Sequence, residues 1–207
     1  MDDYRPIHKS MGELCNELIT KGWMKSKKVY DVMMSVDRAD FSPTNPYENN
    51  PQCIGYNVVI SAPLLHSYCL EVLKDFLTEG STALDIGFGS GYLSVAMSKM
   101  MNDKGRVIGI EHIKDLYDFG INNIKKHHSN LINNKCIHVG ASANQVPNEI
   151  LEQLAFGGRL VMPLGPREDQ YIYIIDKDLK GNINYTKGLC VKFVPLTSVK
   201  NQLNNIE

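Results

Sequence analysis

The chain reads as an α/β protein built on a doubly wound, mostly parallel sheet, and three observations predict this. From residue 82 onward, short apolar runs alternate with longer amphipathic ones, the pattern of strands joined by crossover helices. The run Ala83-Leu84-Asp85-Ile86-Gly87-Phe88-Gly89-Ser90-Gly91-Tyr92-Leu93 is an apolar strand passing through a glycine-rich turn into a helix. A second strand, Arg106 to Ile110, ends in Glu111-His112. Glycines at 87, 89 and 91 let the backbone turn sharply and approach a ligand, and the helix beyond aims its free N–H groups back at the turn. Glu111 falls where such a fold places the carboxylate that accepts hydrogen bonds from ribose hydroxyls. The glycines alone also suit a tight strand-to-helix turn without a ligand. Together with the acid they predict a nucleotide-like one.

The remaining elements follow in order. Residues 8–20 carry Met11, Leu14, Cys15 and Leu18 at helical spacing, and residues 26–36 repeat the pattern with Val29, Val32, Met33 and Val36. Ser26 is the expected N-cap of the second helix. Asp37 to Pro51 gathers three prolines among Asn and Asp residues, which predicts a loop or lid. Gly55 to Ile60 reads as a short strand, and Ser61-Ala62-Pro63 as the start of a helix reaching about Leu77, with serine as cap and proline in the first turn. Then come strand 82–86, helix 90–101, strand 106–110, helix 113–127, strand 135–139, helix 147–154, strand 158–163, and strands near 170–176 and 189–195. Gly181-Asn182 predicts a hairpin between the last two, adding antiparallel character.

Composition narrows the function. A 207-residue chain with 43% hydrophobic content is long enough for one domain with a buried core. Its net charge of −1 and lack of a basic block argue against general nucleic-acid binding. The five cysteines are scattered, with no CxxC spacing, so neither a disulfide framework nor a metal site is expected and a reducing, cytoplasmic setting fits. No apolar run approaches the ~18 residues of a membrane span, and the N-terminus has no leader-like core.

Several further stretches resemble one family, the protein-L-isoaspartate (D-aspartate) O-methyltransferases, which use S-adenosylmethionine (AdoMet). They are Val36-Asp37-Arg38, Asn45-Pro46-Tyr47, Pro51 to Gly55, Val59-Ile60-Ser61-Ala62-Pro63, the glycine turn, Val107 to His112, Ile137-His138-Val139-Gly140-Ala141, Gly157 to Leu160 and Val194-Pro195-Leu196-Thr197. The resemblance covers nearly the whole chain. It implies a Rossmann-like methyltransferase sheet with an N-terminal helical cap (residues 1–60, helices and lid loop) and an AdoMet-binding core (61–207) within a single domain. It also implies methyl transfer to the free carboxylate of L-isoaspartyl and D-aspartyl residues in damaged proteins, by a monomer needing no metal, nucleic acid or membrane. The acceptor carboxylate is already ionised at neutral pH, so no general base is required.

By resemblance, Ser61 orients that carboxylate, and the serine also suits a helix cap. Val58, Val59, Ile60, Ser61, His66, Asp85, Gly87, Gly89, Ser90, Gly91, Glu111, His112, Thr197 and Gln202 carry over as cofactor-side residues. For most of them an ordinary core, cap or surface role is the alternative. Phe88 stands where the family commonly has serine, and His138 suits a core or a substrate role equally.

One departure follows Asn134. Roughly twenty residues of the family pattern, a third strand ending in the acid that holds adenine and the loop after it, have no counterpart in an otherwise collinear doubly wound chain. The helix after the second strand would then have to make the return crossover, and about 98% of such connections are right-handed. An impaired or inactive paralogue or splice product that binds AdoMet poorly is therefore the alternative reading. A nicotinamide-dependent enzyme is a weaker third, because the turn is GxGxG rather than GxGxxG.

Overall fold

The computed structural model describes residues 8–128, 142–166 and 168–193. Helix α1 (Met11–Thr20) begins at Ser10, whose hydroxyl accepts from Glu13 N while the Glu13 carboxylate accepts from Lys9 N, a reciprocal cap. Helix α2 (Lys27–Ser35) begins at Ser26 as expected, its hydroxyl accepting from Val29 N. A second group caps it from a distance. Glu71, on helix α3 (Pro63–Leu73), accepts from Lys25 N at 2.8 Å and Ser26 N at 2.6 Å. Burial pushes Glu71 up, but those N–H groups and the Lys74 ammonium win and hold it below the usual carboxylate range.

Between α2 and α3 the chain makes a 3-10 turn, Arg38–Asp40, and then the proline-rich loop. Residues 52–60, which contain the expected strand 55–60, are not a single strand. They form a hairpin of β1 (Gln52–Gly55) and β2 (Val58–Ile60), turned by Tyr56 and Asn57 with φ of 54° and 56°. The Tyr56 hydroxyl donates to the Asp115 carboxylate. Helix α3 also differs from expectation, ending at Leu73 after starting at Pro63, with Ala62 at the cap position. Its free Leu64 N–H is met by the Asn49 side chain from the loop, at 2.9 Å, so the Ser61 hydroxyl is not the cap.

Strands β3 (Thr82–Ile86) and β4 (Arg106–Ile110) pair in parallel, Thr82 opposite Arg106 through Ile86 opposite Ile110. They flank α4 (Tyr92–Met100), shorter than the expected 90–101. Ala83 and Val107 face α4 and share its core with Leu14, Leu18, Val29 and Met33, so the two N-terminal helices belong to the main core. The other face takes Ile86 into a second cluster with Met162, Leu164, Val146 and Ile150, which α6 (Asn148–Gln153) helps to cover. Helices on both faces make the sheet doubly wound. On that second face Leu84 and Ile110 remain 36% and 48% exposed. Helix α5 (Lys114–His127) packs beside α4.

The C-terminal part is an antiparallel meander of β5 (Arg159–Leu164), β6 (Gln170–Lys177) and β7 (Ile183–Val191). The hairpin turn is where Gly181 predicts it, but β7 starts directly after it, six positions ahead of the expected 189 and ending before 195. Asp178 accepts from Lys180 N and Asn182 N to close the turn. A parallel bridge joins Ala143 to Leu164, so the chain entering α6 runs alongside β5. Arg159 ties this sheet to the rest. It holds Asp176 with two bonds of 2.6 and 2.7 Å, donates to Val72 O on α3 and lies over the Phe76 ring. The expected strand 135–139, His138, the gap after Asn134, Thr197 and Gln202 lie outside the described residues.

The distant cap on α2 is testable. Glu71→Ala should lower unfolding free energy by on the order of 2 kcal/mol in urea titrations at neutral pH. Because the folded-state value of Glu71 is depressed, its contribution is complete above the unfolded carboxylate range and is lost as pH falls through the folded value. The wild-type advantage over Glu71→Gln should therefore shrink in acid.

Candidate functional site

The turn after β3 is forced by its glycines. Gly87, Gly89 and Gly91 have φ of 79°, 47° and 85°, a region L side chains rarely adopt. Gly87 N and Phe88 N both donate to Ile110 O, folding the turn against the end of β4. Tyr92 N donates to the Ser90 hydroxyl and Asn123 donates to Ser90 O, so α4 and α5 grip the turn from the far side. A Cβ on Gly91 would lie 3.0 Å from the Ile124 side chain and 3.2 Å from Gly120 O.

In front of the turn is a cavity of about 600 Å³. Its floor is Gly87, Phe88, Gly89 and Ser90, one wall is Val58 to Ala62 with Leu64, Leu65 and His66 of α3, and the far wall is Leu189 to Phe193 at the end of β7. No carboxylate is among the described residues that line it, and Lys192 stands exposed at its edge. The walls are mainly apolar and the few polar groups are neutral or positive. Such a cavity suits a ligand with apolar parts and an anionic group.

Val58, Val59, Ile60, Ser61, His66, Gly87, Gly89 and Ser90 all line this cavity. The Ser61 hydroxyl has no hydrogen-bond partner among the described residues, so it remains available to a ligand. Gly91, Asp85, Glu111 and His112 do not line it. Gly91 is one residue beyond, at the α4 cap. Asp85 is wholly buried and accepts from the Ser94 hydroxyl, which fastens β3 to α4. The Glu111 carboxylate accepts from Gly89 N at 3.2 Å and Ile113 N at 3.1 Å, bracing the glycine turn against the start of α5. His112 is exposed.

Behind the His66 wall is a cluster assembled from segments far apart in the sequence. Arg38, with no exposed surface, donates through Nη1 to His66 Nδ1 at 3.2 Å and through Nη2 to Ser61 O at 2.8 Å. The His66 ring stacks on Tyr92 with centroids 4.8 Å apart, and Phe41 meets Tyr92 edge-on. Burial pushes Arg38 down to about 10, partly offset by Tyr92, so it is still a cation at neutral pH. Burial drives the Tyr92 phenol well above its usual value and keeps it neutral. The motif Val36-Asp37-Arg38 marked Arg38 by resemblance only; its partners are 23 and 28 positions away.

Three comparisons bear on this site. Residues 9–201 match the family model for protein-L-isoaspartate (D-aspartate) O-methyltransferase. A Caenorhabditis elegans protein-L-isoaspartate O-methyltransferase is 37% identical over 221 positions, spanning 97% of this chain and 98% of its own. That alignment is longer than the 207-residue chain, so the relative carries residues that this chain lacks. The wheat enzyme of the same name is 38% identical over 89% of this chain and 90% of its own. A Plasmodium falciparum crystal structure, described as a candidate protein-L-isoaspartate O-methyltransferase in complex with S-adenosyl-L-homocysteine, superposes with a TM-score of 0.83 at 33% identity, over 92% of this chain and 99% of its own. A second solved structure of that enzyme name, 20% identical with a TM-score of 0.76, supports the fold alone.

The strain at Gly91 sets an expectation for the turn. Gly91→Ala should cost about 1–3 kcal/mol of stability by denaturant titration, since φ there is left-handed and the added methyl meets Ile124 and the Gly120 carbonyl.

Proposed function

The chain belongs to the protein-L-isoaspartate (D-aspartate) O-methyltransferase family, and on that premise we propose that it transfers a methyl group from AdoMet to the free carboxylate of L-isoaspartyl, and D-aspartyl, residues in damaged proteins. The observation that carries this reading is the meeting of the glycine turn and an uncommitted Ser61 hydroxyl in one cavity whose described lining has no acid.

The residues fit the cofactor. A backbone held at positive φ comes close to a ligand without a Cβ in the way, and the cavity extends from that turn to Ser61. Gly87, Gly89 and Ser90 would hold its amino-acid end, with Val58 to Ile60 and His66 along its side. When bound, AdoMet supplies an electrophilic methyl on a sulfonium. The work left to the protein is alignment and exclusion of water. Ser61 donates to one oxygen of the acceptor carboxylate and leaves the other to attack. Val58, Ile60, Leu64, Leu65, Leu93, Leu189 and Phe193 keep the site dry. A carboxylate ionised at neutral pH has no proton to remove, and the cavity's described lining accordingly offers no acidic base.

The relatives match over essentially their full length, which does not favour an inactive paralogue. The rest of the reading is that the enzyme acts as a cytoplasmic monomer on isoaspartyl proteins, without nucleic acid or membrane. Supporting it are the near-neutral charge and the absence, among the described helices, of one long and apolar enough to cross a membrane.

Incubation with an isoaspartyl peptide and methyl-labelled AdoMet should place label in a base-labile ester, and the aspartyl control peptide should stay unlabelled. Ser61→Ala should lower kcat/KM by about tenfold to a hundredfold, the value of one hydrogen bond to a charged acceptor, with the fold intact by circular dichroism. No label at saturating cofactor would sink the proposal.

A further inference from the structure

A guanidinium with no exposed surface normally has a carboxylate beside it, because an unpaired buried charge is costly. Arg38 has none among the described residues. Its Nε is buried with no hydrogen-bond partner, and so is the Tyr92 hydroxyl beside it. The two bonds it does make go to His66 and to the carbonyl of Ser61, two residues that line the cavity. The N-terminal segment that delivers Arg38 therefore gains no ion pair with a described residue from placing it there. What it gains is a hold on two groups of the site.

The chemistry of that hold is specific. A guanidinium has donors only, so a nitrogen that accepts from it must present a lone pair. His66 Nδ1 is that nitrogen, and a neutral imidazole then carries its proton on Nε2. Stacking on Tyr92 holds the plane of the ring, and the bond from Arg38 decides which ring edge faces it. The second bond fixes the carbonyl of Ser61, and with it the backbone of a residue that lines the cavity. A lysine has no fork and could reach only one of these two acceptors.

We propose that Arg38 is a positioning residue of this enzyme: by donating to His66 Nδ1 and Ser61 O together, it holds the histidine in its Nε2–H form and sets the Ser61 backbone against the cavity. The charge also acts at a distance. A cation behind the wall favours an anionic acceptor in the cavity without touching it, so the carboxylate is attracted but not tied up. Only the activity arm of the test below rests on the methyltransferase reading.

The imidazole signals of His66, identified by difference from His66→Phe in long-range proton–nitrogen correlation spectra of the full chain, read the tautomer directly. Wild type should show the neutral Nε2–H form with Nδ1 as acceptor. Arg38→Met should shift the ring toward a mixture of forms, and Arg38→Lys, which can reach only one of the two acceptors, should fall between Arg38→Met and wild type. With isoaspartyl peptide and AdoMet, Arg38→Met should lose up to on the order of a hundredfold in kcat/KM, as expected for a misplaced reacting group, and Arg38→Lys should recover part of it. In a His66→Phe background, which keeps the stack on Tyr92 but removes Nδ1, the same Arg38 substitutions should cost clearly less.

An unchanged His66 tautomer in Arg38→Met, or an equal loss with and without His66, would overturn the proposal and make Arg38 a packing residue. If Arg38→Met does not fold, Arg38→Lys and its His66→Phe double variant decide between the two roles in its place, since a purely structural cation would show no coupling. A wild-type protein that shows the Nε2–H form yet methylates nothing would instead overturn the proposed reaction and leave the placement of Arg38 standing.

Discussion

Three glycines with positive φ inside five residues are the constraint on which the rest of this structure depends. No other residue type takes that path at low cost, and without it β3 could not pass directly into α4. Everything near the site is then built to the height of a bare backbone. The two N–H groups at the head of the turn reach Ile110 O, the Gly89 N–H reaches Glu111, Ile54 of the β1–β2 hairpin comes to 3.2 Å from where a Gly89 Cβ would be, and α5 closes on Gly91. The turn is therefore at once the floor of the cavity and the joint where hairpin, sheet and two helices meet. Phe88 can stand among these glycines because its ring leaves the floor and packs on Gly120 and edge-on to Tyr117, 5.7 Å away.

How much of this fold is legible in the sequence depends on the range of the interaction. The helices α1 and α2 follow from spacing and from serine caps within three residues, and β3 and β4 from β-branched runs beside glycine. The hairpin at 52–60 is concealed because its turn is Tyr56-Asn57 rather than Asn-Gly, with Tyr56 in a left-handed conformation that its type seldom takes. Strand β7 is concealed because it is an edge: Asn184, Tyr185, Thr186 and Lys187 face solvent, so the alternation that marks a half-buried strand is weak there. The cap of α3 is concealed for a third reason. Ser61 is adjacent in sequence, but Asn49 arrives from fifteen positions away.

The site divides along the same line. Residues held by the local turn and by the strand leading into α3 are legible, and eight of them face one cavity. For Asp85 and Glu111 the residue types are consistent with a ligand, but the structure uses both to fasten the turn, one to Ser94 and the other to Gly89 and Ile113. A carboxylate that braces the loop is compatible with one that meets a ribose only if the two tasks use different lone pairs, and a carboxylate has about four acceptor sites. Arg38 could not be found locally at all. A buried cation is recognised by what surrounds it, and its surroundings are assembled from α3, α4 and a 3-10 turn.

The polarity of the cavity follows from the charge change in the reaction. Ester formation takes an anion to a neutral product, so the acceptor's negative charge is falling at the transition state. A strong direct ion pair to that carboxylate would stabilise the ground state more than the transition state and would slow the step while tightening binding. Beside Ser61 the structure avoids this, with hydroxyl and imidazole in the wall, the guanidinium behind them bonded to those wall residues, and the Lys192 ammonium exposed at the cavity's edge. Apolar walls act in the same direction, because a medium that solvates charge poorly raises the reactant more than a transition state with less charge. The burial cost of Arg38 is the counterpart of that arrangement: the cation is kept out of contact with the acceptor, and the stability this consumes is returned by apolar burial in the main core and in the cluster of Val36, Phe41, Ile60, Tyr92, Val95 and Ile124 that flanks the 3-10 turn.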